Sequence, residues 1–398
     1  MPIPTPFHPR TSALCTSLFY KEWAGYHAVR SFDTCHEREY FAFRNAAGLL
    51  DVSPLFKYEV YGPGAAALLS RVTVRDITTL KKGRVTYLCW CDDDGKIIDD
   101  GTVSRLDDDY FRLTAAEPTF AWLHKFARHY DVTIEDSSER LGALAIQGPT
   151  SRDILAQVSD APLDTLKFFG VTKARLGNAH VHISRTGYTG DLGYEVWCER
   201  DDALGVWDAI MEAGRDYRLC PAGLDALDVA RVEAGFIMNG VDYFGASHCL
   251  IESRKSSPYE LGLGWTIKLD RDPFIGQAAL QAEKARGSTW ATVGLRYDWD
   301  EYEALFAKLG LPPEVPAGAW RTPIPVYSRR FGTQVGQATS GAWSPMLKAN
   351  LALATVRAAD ATPGNRLRIE VTAEYQRRLV GVTVEPTPFY NPERKRAL

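Results

Sequence analysis

The hydrophobic pattern of this chain changes late in the sequence, and that change limits the folds open to it. Up to about residue 285, short strand-like runs alternate with amphipathic helical segments. The strands include KYEVYG (57–62), RVTYLCWC (84–91), GALAIQG (142–148), AHVHISR (179–185) and YEVWC (194–198). The helices include 36–48, 63–72, 118–130, 150–158 and 202–214. In the last of these, Leu204, Val206, Trp207, Ile210 and Met211 recur at helical spacing and form one apolar face. Pro63 stands at a helix start, where its missing N–H is harmless. Near 287–322 a strand is followed by a Pro-rich, locally charged stretch. Beyond it come five strand-like runs: PIPVYSRRF, TQVGQATSG, ANLALATV, RLRIEVT and RRLVGVTV, separated by Gly and Pro turns. The irregular interleaving predicts an α+β fold, not a doubly wound parallel sheet, and the terminal strands predict a small barrel or sandwich. The expected division is a region 1–285 and a C-terminal β domain 286–398.

Bulk composition narrows the partners. The 398 residues are 45% apolar and 24% charged, with a formal net charge of −4. That is enough chain for two or three cores, with no basic surplus to attract nucleic acid. The opening MPIPTPFHPR lacks an apolar signal core, and no run reaches the roughly 18 apolar residues of a membrane span. Seven scattered cysteines fit reduced thiols and a cytoplasmic setting. Cys89 and Cys91 share one strand face without a second pair, which favours a core position over a metal site. His27, His36 and His248 have no ligand spacing, so no metal is expected. No GxGxxG opens a helix after a strand, which leaves a dinucleotide site without support.

Five segments carry chemistry. RTGYTGDLGYE (185–195) places glycines at 187, 190 and 193 around two tyrosines and ends on Glu195 at the start of a strand. Such glycine density permits φ > 0 or close backbone approach; taken alone, the segment also reads as a hairpin with a solvated carboxylate. CDDDGKIIDDGTVSRL (91–106) makes a turn at Asp94-Gly95 and then sets Asp99 beside Asp100. Neighbours in extended chain point to opposite faces, so one carboxylate can face a pocket while the other faces solvent or a backbone amide. LCPAGLDALDVARVEAGFIMNG (219–240) is an apolar helix in which Asp228 and Arg231 share a face, read as a salt-bridged helix surface, with Gly235 and Gly240 ending it. In SPYELGLGWTIKLDRDPFIGQAAL (257–280), Gly262 and Gly264 lead into Trp265, which either stacks on a flat ligand or fills core, and Phe274-Ile275-Gly276 begins a helix. TSGAWSP (339–345) sets small residues beside Trp343 and suits a contact between domains.

Together with HEREYFAFRNAAGLLDVSPLFKYEVYG (36–62), AIQGP (145–149) and LGLGWTIKLDRDPFIG (261–276), these segments resemble the glycine-cleavage T-protein (aminomethyltransferase) family over nearly the whole chain. The resemblance implies a three-lobed, cloverleaf-like folate-binding fold with a C-terminal β-barrel, and tetrahydrofolate as cofactor. By motif match, Asp99 is the expected catalytic carboxylate beside folate N5 and N10. Glu195 and Tyr188 are expected to hold the pterin, Tyr87 to form another wall, and Trp265 and Leu55 to touch the ring system.

Two departures from the family pattern bear on the donor. The chain reads DVSPL (51–55) where DVSHM is usual, and DALD (225–228) where GARD is usual, so Leu227 replaces an arginine. DGTVSRL (100–106) and PFYNPERKR (388–396) look more like the folate domains of dimethylglycine- and sarcosine-oxidising enzymes and demethylases. No flavin region is read in the chain, so it is not expected to oxidise a donor itself. The leading expectation is a tetrahydrofolate-dependent methyl or one-carbon transferase using a small N-, O- or S-methylated donor. Two alternatives stand beside it: an aminomethyltransferase acting with a lipoyl-carrier protein, and a non-catalytic folate-binding regulator. Neither nucleic acid nor membrane is an expected partner.

Overall fold

A computed structural model describes residues 1–330 and 332–397. Phe331, where the expected strand PIPVYSRRF ends, and Leu398, the end of the expected C-terminal domain, lie outside the described residues. The chain builds three sheet-bearing lobes. The first holds a five-stranded antiparallel sheet in the order Arg84–Cys91, Ile97–Asp107, Tyr110–Ala115, Phe56–Tyr61, Thr133–Asp136. Helices Ala65–Val72 and Phe120–Ala127 cover one face of it, burying Leu68, Leu69 and Leu123 against Val60, Trp90 and Phe111. The helix expected from Pro63 starts two residues later, with Gly64 as its N-cap, where a Cβ would meet the backbone of Asp131.

The second lobe holds a six-stranded sheet in the order Val171–Leu176, Ala179–Ser184, Gly193–Glu199, Leu141–Gln147, Gly48–Asp51, Cys220–Pro221. Only the last pairing is parallel. Helix Ala203–Ala213 packs on it through Ala203, Val206, Trp207 and Ile210, an i, i+3, i+4, i+7 set. The predicted Leu204 is only half-buried, and Ala203 takes the inward position.

The third lobe is a closed barrel of six strands, one more than the terminal run predicts. Trp290–Tyr297, which lies before the Pro-rich stretch, pairs with both Ala349–Arg357 and Gln376–Glu385 and closes the cylinder. Closure leaves no sheet edge unpaired. Inward Val326, Ala354, Val356, Ile369 and Val382 fill it. No helix among the described residues is long and apolar enough to cross a membrane.

Helix Leu224–Glu233 joins the lobes. It packs against helix Glu37–Asn45, strand Tyr26–Ser31 and barrel strand Gln334–Ser344, so nearly every one of its side chains is buried. The Asp228–Arg231 pair forms at 2.8 Å as its spacing predicts, but with Arg231 fully buried, not on a helix surface. The reason is that this helix has no solvent face. Its last residue, Glu233, accepts from Arg44 at 2.6 and 3.0 Å, from the Tyr40 hydroxyl at 2.5 Å and from the Ser344 hydroxyl. Gly235 then ends the helix with φ +67°, and a Cβ there would strike the Thr387 side chain.

Breaking a buried ion pair by removing one partner leaves the other charge uncompensated. Glu233→Ala should therefore lower the unfolding free energy by about 3–5 kcal/mol in denaturant titrations, whereas a surface pair such as Arg215–Glu212 should contribute about 1 kcal/mol or less.

Candidate active site

The hairpin Arg84–Cys91/Ile97–Asp107 turns at Asp92–Lys96, with Gly95 at φ +72°. Its register shifts between Trp90 and Cys91: Trp90 pairs with Asp99 and Cys91 with Ile97, so Ile98 is the extra residue of a bulge. A bulge re-aims the side chains next to it. Beyond the bulge, alternation sends the two carboxylates to opposite faces, as the sequence implies.

Asp99 points to the side of Trp90 and has no exposed surface. Its Oδ2 accepts from the backbone N–H groups of Ala116 and Glu117 at 3.0 and 2.9 Å, and its Oδ1 from Asn239 Nδ2 at 2.8 Å. Every partner is protein, and Asp99 acts as a latch between the hairpin, the loop after Tyr110–Ala115 and the segment after the central helix. Asp100 lies on the face of Tyr87 and Cys89. It accepts from the Tyr87 hydroxyl at 2.7 Å and from the Tyr243 hydroxyl, and it keeps partial exposure. Of the adjacent pair, Asp100 is therefore the accessible carboxylate, and Asp99, nominated by motif match, sits behind it.

Burial raises the pKa of Asp99 first, and the neighbouring Asp100 charge adds to this against the donors that favour its ionised form. Burial also raises Asp100, opposed by the two phenols. Burial likewise raises Tyr87, with Asp100 next and Tyr188 contributing, which sets Tyr188 in the same electrostatic neighbourhood.

The second wall comes from RTGYTGDLGYE. Two of its glycines answer to Gln147 in the strand beneath: a Cβ at Gly187 or Gly193 would lie 2.0 or 2.3 Å from the Gln147 amide. That amide donates to the carbonyls of Thr186 (3.2 Å) and Tyr194 (3.3 Å) and accepts from the Thr189 hydroxyl (2.9 Å). Gly190, at φ +78°, approaches Ala234 of the central segment. The loop is thus glycine-rich because it folds over a glutamine and against a helix end.

The loop's form holds Tyr188 and Glu195 in place. The Tyr188 hydroxyl donates to the Ile237 carbonyl, and its ring stacks on Phe236 at 5.3 Å. Glu195 is half-buried and accepts, through Oε2, from the hydroxyls of Thr186 (2.6 Å) and Ser184 (3.4 Å); no described residue donates to its Oε1. Burial raises its pKa against those two hydroxyls.

Leu55 packs with Tyr188, Trp23 and Leu227 in one apolar cluster. Its turn is pinned by Lys57, whose buried Nζ donates to the carbonyls of Ser53 and Leu55, both at 2.6 Å. Trp265 does not fill core. It is 64% exposed and stacks on Tyr87 at 6.1 Å, with the Arg75 guanidinium 5.6 Å from its ring. Cys89 and Cys91 are both buried in the cluster that includes Ile237 and Tyr243.

Residues 236–243 connect the two walls. Ile237 meets Tyr188, while Asn239 and Tyr243 meet Asp99 and Asp100. Beneath them Arg231 donates to Asp228, Asp242 (2.6 Å), Ser340 (3.0 Å) and the Phe236 carbonyl, and its fully buried Nη2 finds no partner among the described residues. Thr339 and Ser340 of TSGAWSP also donate to Asp242 at 2.6 Å, so the barrel grips the same segment. Asn239, Tyr243 and Phe236 are not recognisable as site residues from sequence; the only local signal is the Asn239-Gly240 turn dipeptide.

The raised carboxyls have a consequence for stability. A carboxyl whose folded pKa is raised binds its proton more tightly in the folded chain, so its contribution is complete below about pH 4 and is lost as pH rises through the raised value. Asp99→Asn should therefore make unfolding free energy fall less steeply than wild type between about pH 4 and neutrality, measured by denaturant titration across that range.

Comparison with known proteins agrees with this architecture. Residues 7–271 match the family model of the GCVT N-terminal domain, and residues 311–391 that of the glycine cleavage T-protein C-terminal barrel domain. An aminomethyltransferase of Halothermothrix orenii is 38% identical over 337 residues, 84% of this chain and 86% of that protein. One from Herpetosiphon aurantiacus is 34% identical over 90% of this chain and 91% of its own. A trimethylamine-oxide aldolase of Ruegeria pomeroyi is 34% identical over 98% of this chain, which spans 47% of that enzyme. The solved structure of the glycine cleavage system aminomethyltransferase T from Bartonella henselae shares the fold, with a TM-score of 0.83 at 23% identity, covering 98% of this chain and 99% of that one. With the central helix, barrel and paired walls in the same chain as these matches, the protein belongs to the glycine cleavage T-protein family.

Proposed function

We propose that this chain is a tetrahydrofolate-dependent one-carbon transferase, and that its donor is an aminomethyl group presented on a lipoyl-carrier protein. The donor reading reverses the order expected from sequence. It is supported by the named aminomethyltransferases at 38% and 34% identity, which align over most of both chains. A small methylated donor is the second reading. It is favoured by the trimethylamine-oxide aldolase relative and by apolar Leu227 packed with Leu55, Tyr188 and Trp23.

The observation that carries the chemistry is Asp100, an accessible carboxylate pinned by two phenols, next to a wall whose Glu195 keeps one carboxylate oxygen free of protein donors. The residues fit a flat, N–H-rich heterocycle. Glu195 Oε1 accepts from a ring amine or N–H edge, since a carboxylate offers more acceptor sites than Thr186 and Ser184 fill. Tyr188, braced on Phe236, and Tyr87 supply aromatic faces. When bound, tetrahydrofolate supplies the N5 and N10 amines that accept the carbon.

Asp100 holds or takes the proton of the reacting amine, or balances developing positive charge beside it. Burial raises its proton affinity, and the two phenols keep its oxygens oriented. Asp99 serves by fixing the hairpin. Retention of this accessible carboxylate favours an enzyme over a regulator.

The donor is tested by presenting tetrahydrofolate with an aminomethylated lipoyl-carrier protein and, separately, with N-methylated amines, and measuring one-carbon transfer. Turnover with the carrier alone supports the first reading, and turnover with the amines alone replaces it with the second. Asp100→Asn should lower kcat about 100-fold or more with the Kd for tetrahydrofolate nearly unchanged; a larger fall in Asp99→Asn at intact folding would return the role to Asp99. Glu195→Ala should weaken tetrahydrofolate binding about 10- to 100-fold by calorimetry, and an unchanged Kd would remove it from the pterin wall.

A further inference from the structure

The C-terminal barrel contains a cavity of about 560 Å³, and its lining includes none of Asp100, Tyr188 or Glu195. Its volume is in the range of small-molecule sites, roughly 300–1,000 Å³. One wall is Trp320, from the Pro-rich segment that precedes the barrel strand Ile324–Ser328. Trp320 exchanges backbone hydrogen bonds with Gly341 at 2.8 and 3.1 Å, and a Cβ on Gly341 would lie 2.3 Å from the indole. The bare glycine backbone is therefore what lets the indole lie flat against the strand. Tyr297 and Tyr302 continue the aromatic lining, their rings edge to face at 6.1 Å. The Tyr302 hydroxyl is used by the Glu314 carbonyl at 2.6 Å, whereas no described residue engages the Tyr297 hydroxyl.

Asn350 also lines this cavity. It is 5% exposed, yet neither its Nδ2 nor its Oδ1 has a partner among the described residues. A buried primary amide left with both donor and acceptor unsatisfied carries a desolvation penalty of about 1–3 kcal/mol per group. A group filling both at once must offer an acceptor and a donor side by side. Among planar rings a lactam, with adjacent C=O and N–H, carries such an edge. Flat aromatic walls beside such an amide select a flat ring carrying that edge.

We propose that this barrel cavity is a second binding site, separate from the one-carbon site, for a planar heterocycle that presents a lactam edge to Asn350 and its faces to Trp320 and Tyr297. Selectivity follows from hydrogen-bond complementarity: a ring of the same shape without the lactam leaves the amide unpaired.

2(1H)-Quinolinone and quinoline are a matched pair of probes, since they share a bicyclic frame and only the quinolinone carries an N–H beside its C=O. Binding to the full chain is measured by ligand-observed NMR titration, with Asn350→Leu, which keeps the side-chain volume and removes both polar atoms. 2(1H)-Quinolinone should bind about 10-fold more tightly than quinoline, the effect of one or two net hydrogen bonds. Asn350→Leu should bring the two to parity while one-carbon transfer is retained, and Asn350→Ala, which also removes both polar atoms, should do the same if Asn350→Leu fails to fold. The proposal is overturned if neither probe binds up to its solubility limit, if both bind equally to the wild-type chain, or if the preference survives in folded Asn350→Leu.

Discussion

The buried charges of helix Leu224–Glu233 are the constraint on which the rest of the structure depends. Arg231 and Glu233 are fully buried, and each is neutralised by residues from other parts of the chain. Arg44 and Tyr40 come from the helix Glu37–Asn45, Ser340 and Ser344 from the barrel, and Asp242 from the segment that follows. Desolvating such groups is unfavourable unless every partner is in place. The lobes must therefore dock together or leave uncompensated charge in the interior. That requirement fixes the exit of the helix, and the exit is residues 236–243, which touch both walls of the candidate site.

Division of labour between the adjacent aspartates follows from the same docking. A strand hands one carboxylate to each face, and the surroundings decide what each does. Asp99 meets backbone N–H groups and an asparagine, all of them protein donors in a closed interior. Asp100 meets two phenols at a boundary that is still partly open. Chemically identical groups one residue apart thus become a fastening and a partly exposed carboxylate, with burial raising the proton affinity of both.

Much of the fold was legible in the sequence. The α+β interleaving, the helix over 203–213 and the hairpin turn at Asp94-Gly95 all rest on patterns within a dozen residues. The RTGYTGDLGYE segment was legible as a close-approach loop, but not for what it approaches. Its glycines make room for Gln147 and Ala234, and the Gln147 side chain lies about forty positions upstream. Trp265 was legible as an aromatic of note; its exposure and its stacking on Tyr87 were not.

Sequence by itself determined the elements, the pairing of Asp228 with Arg231, and the opposite facing of Asp99 and Asp100, because periods of 2 and 3.6 are properties of neighbouring residues. Tertiary structure alone decided which aspartate is accessible, that the Asp228–Arg231 pair is interior, and that the barrel closes with a sixth strand. In each case the deciding partner is remote: Asn239 reaches Asp99 across 140 positions and Ser340 reaches Arg231 across 109. Burial and hydrogen-bond satisfaction at such separations depend on how the lobes dock, which no local spacing encodes.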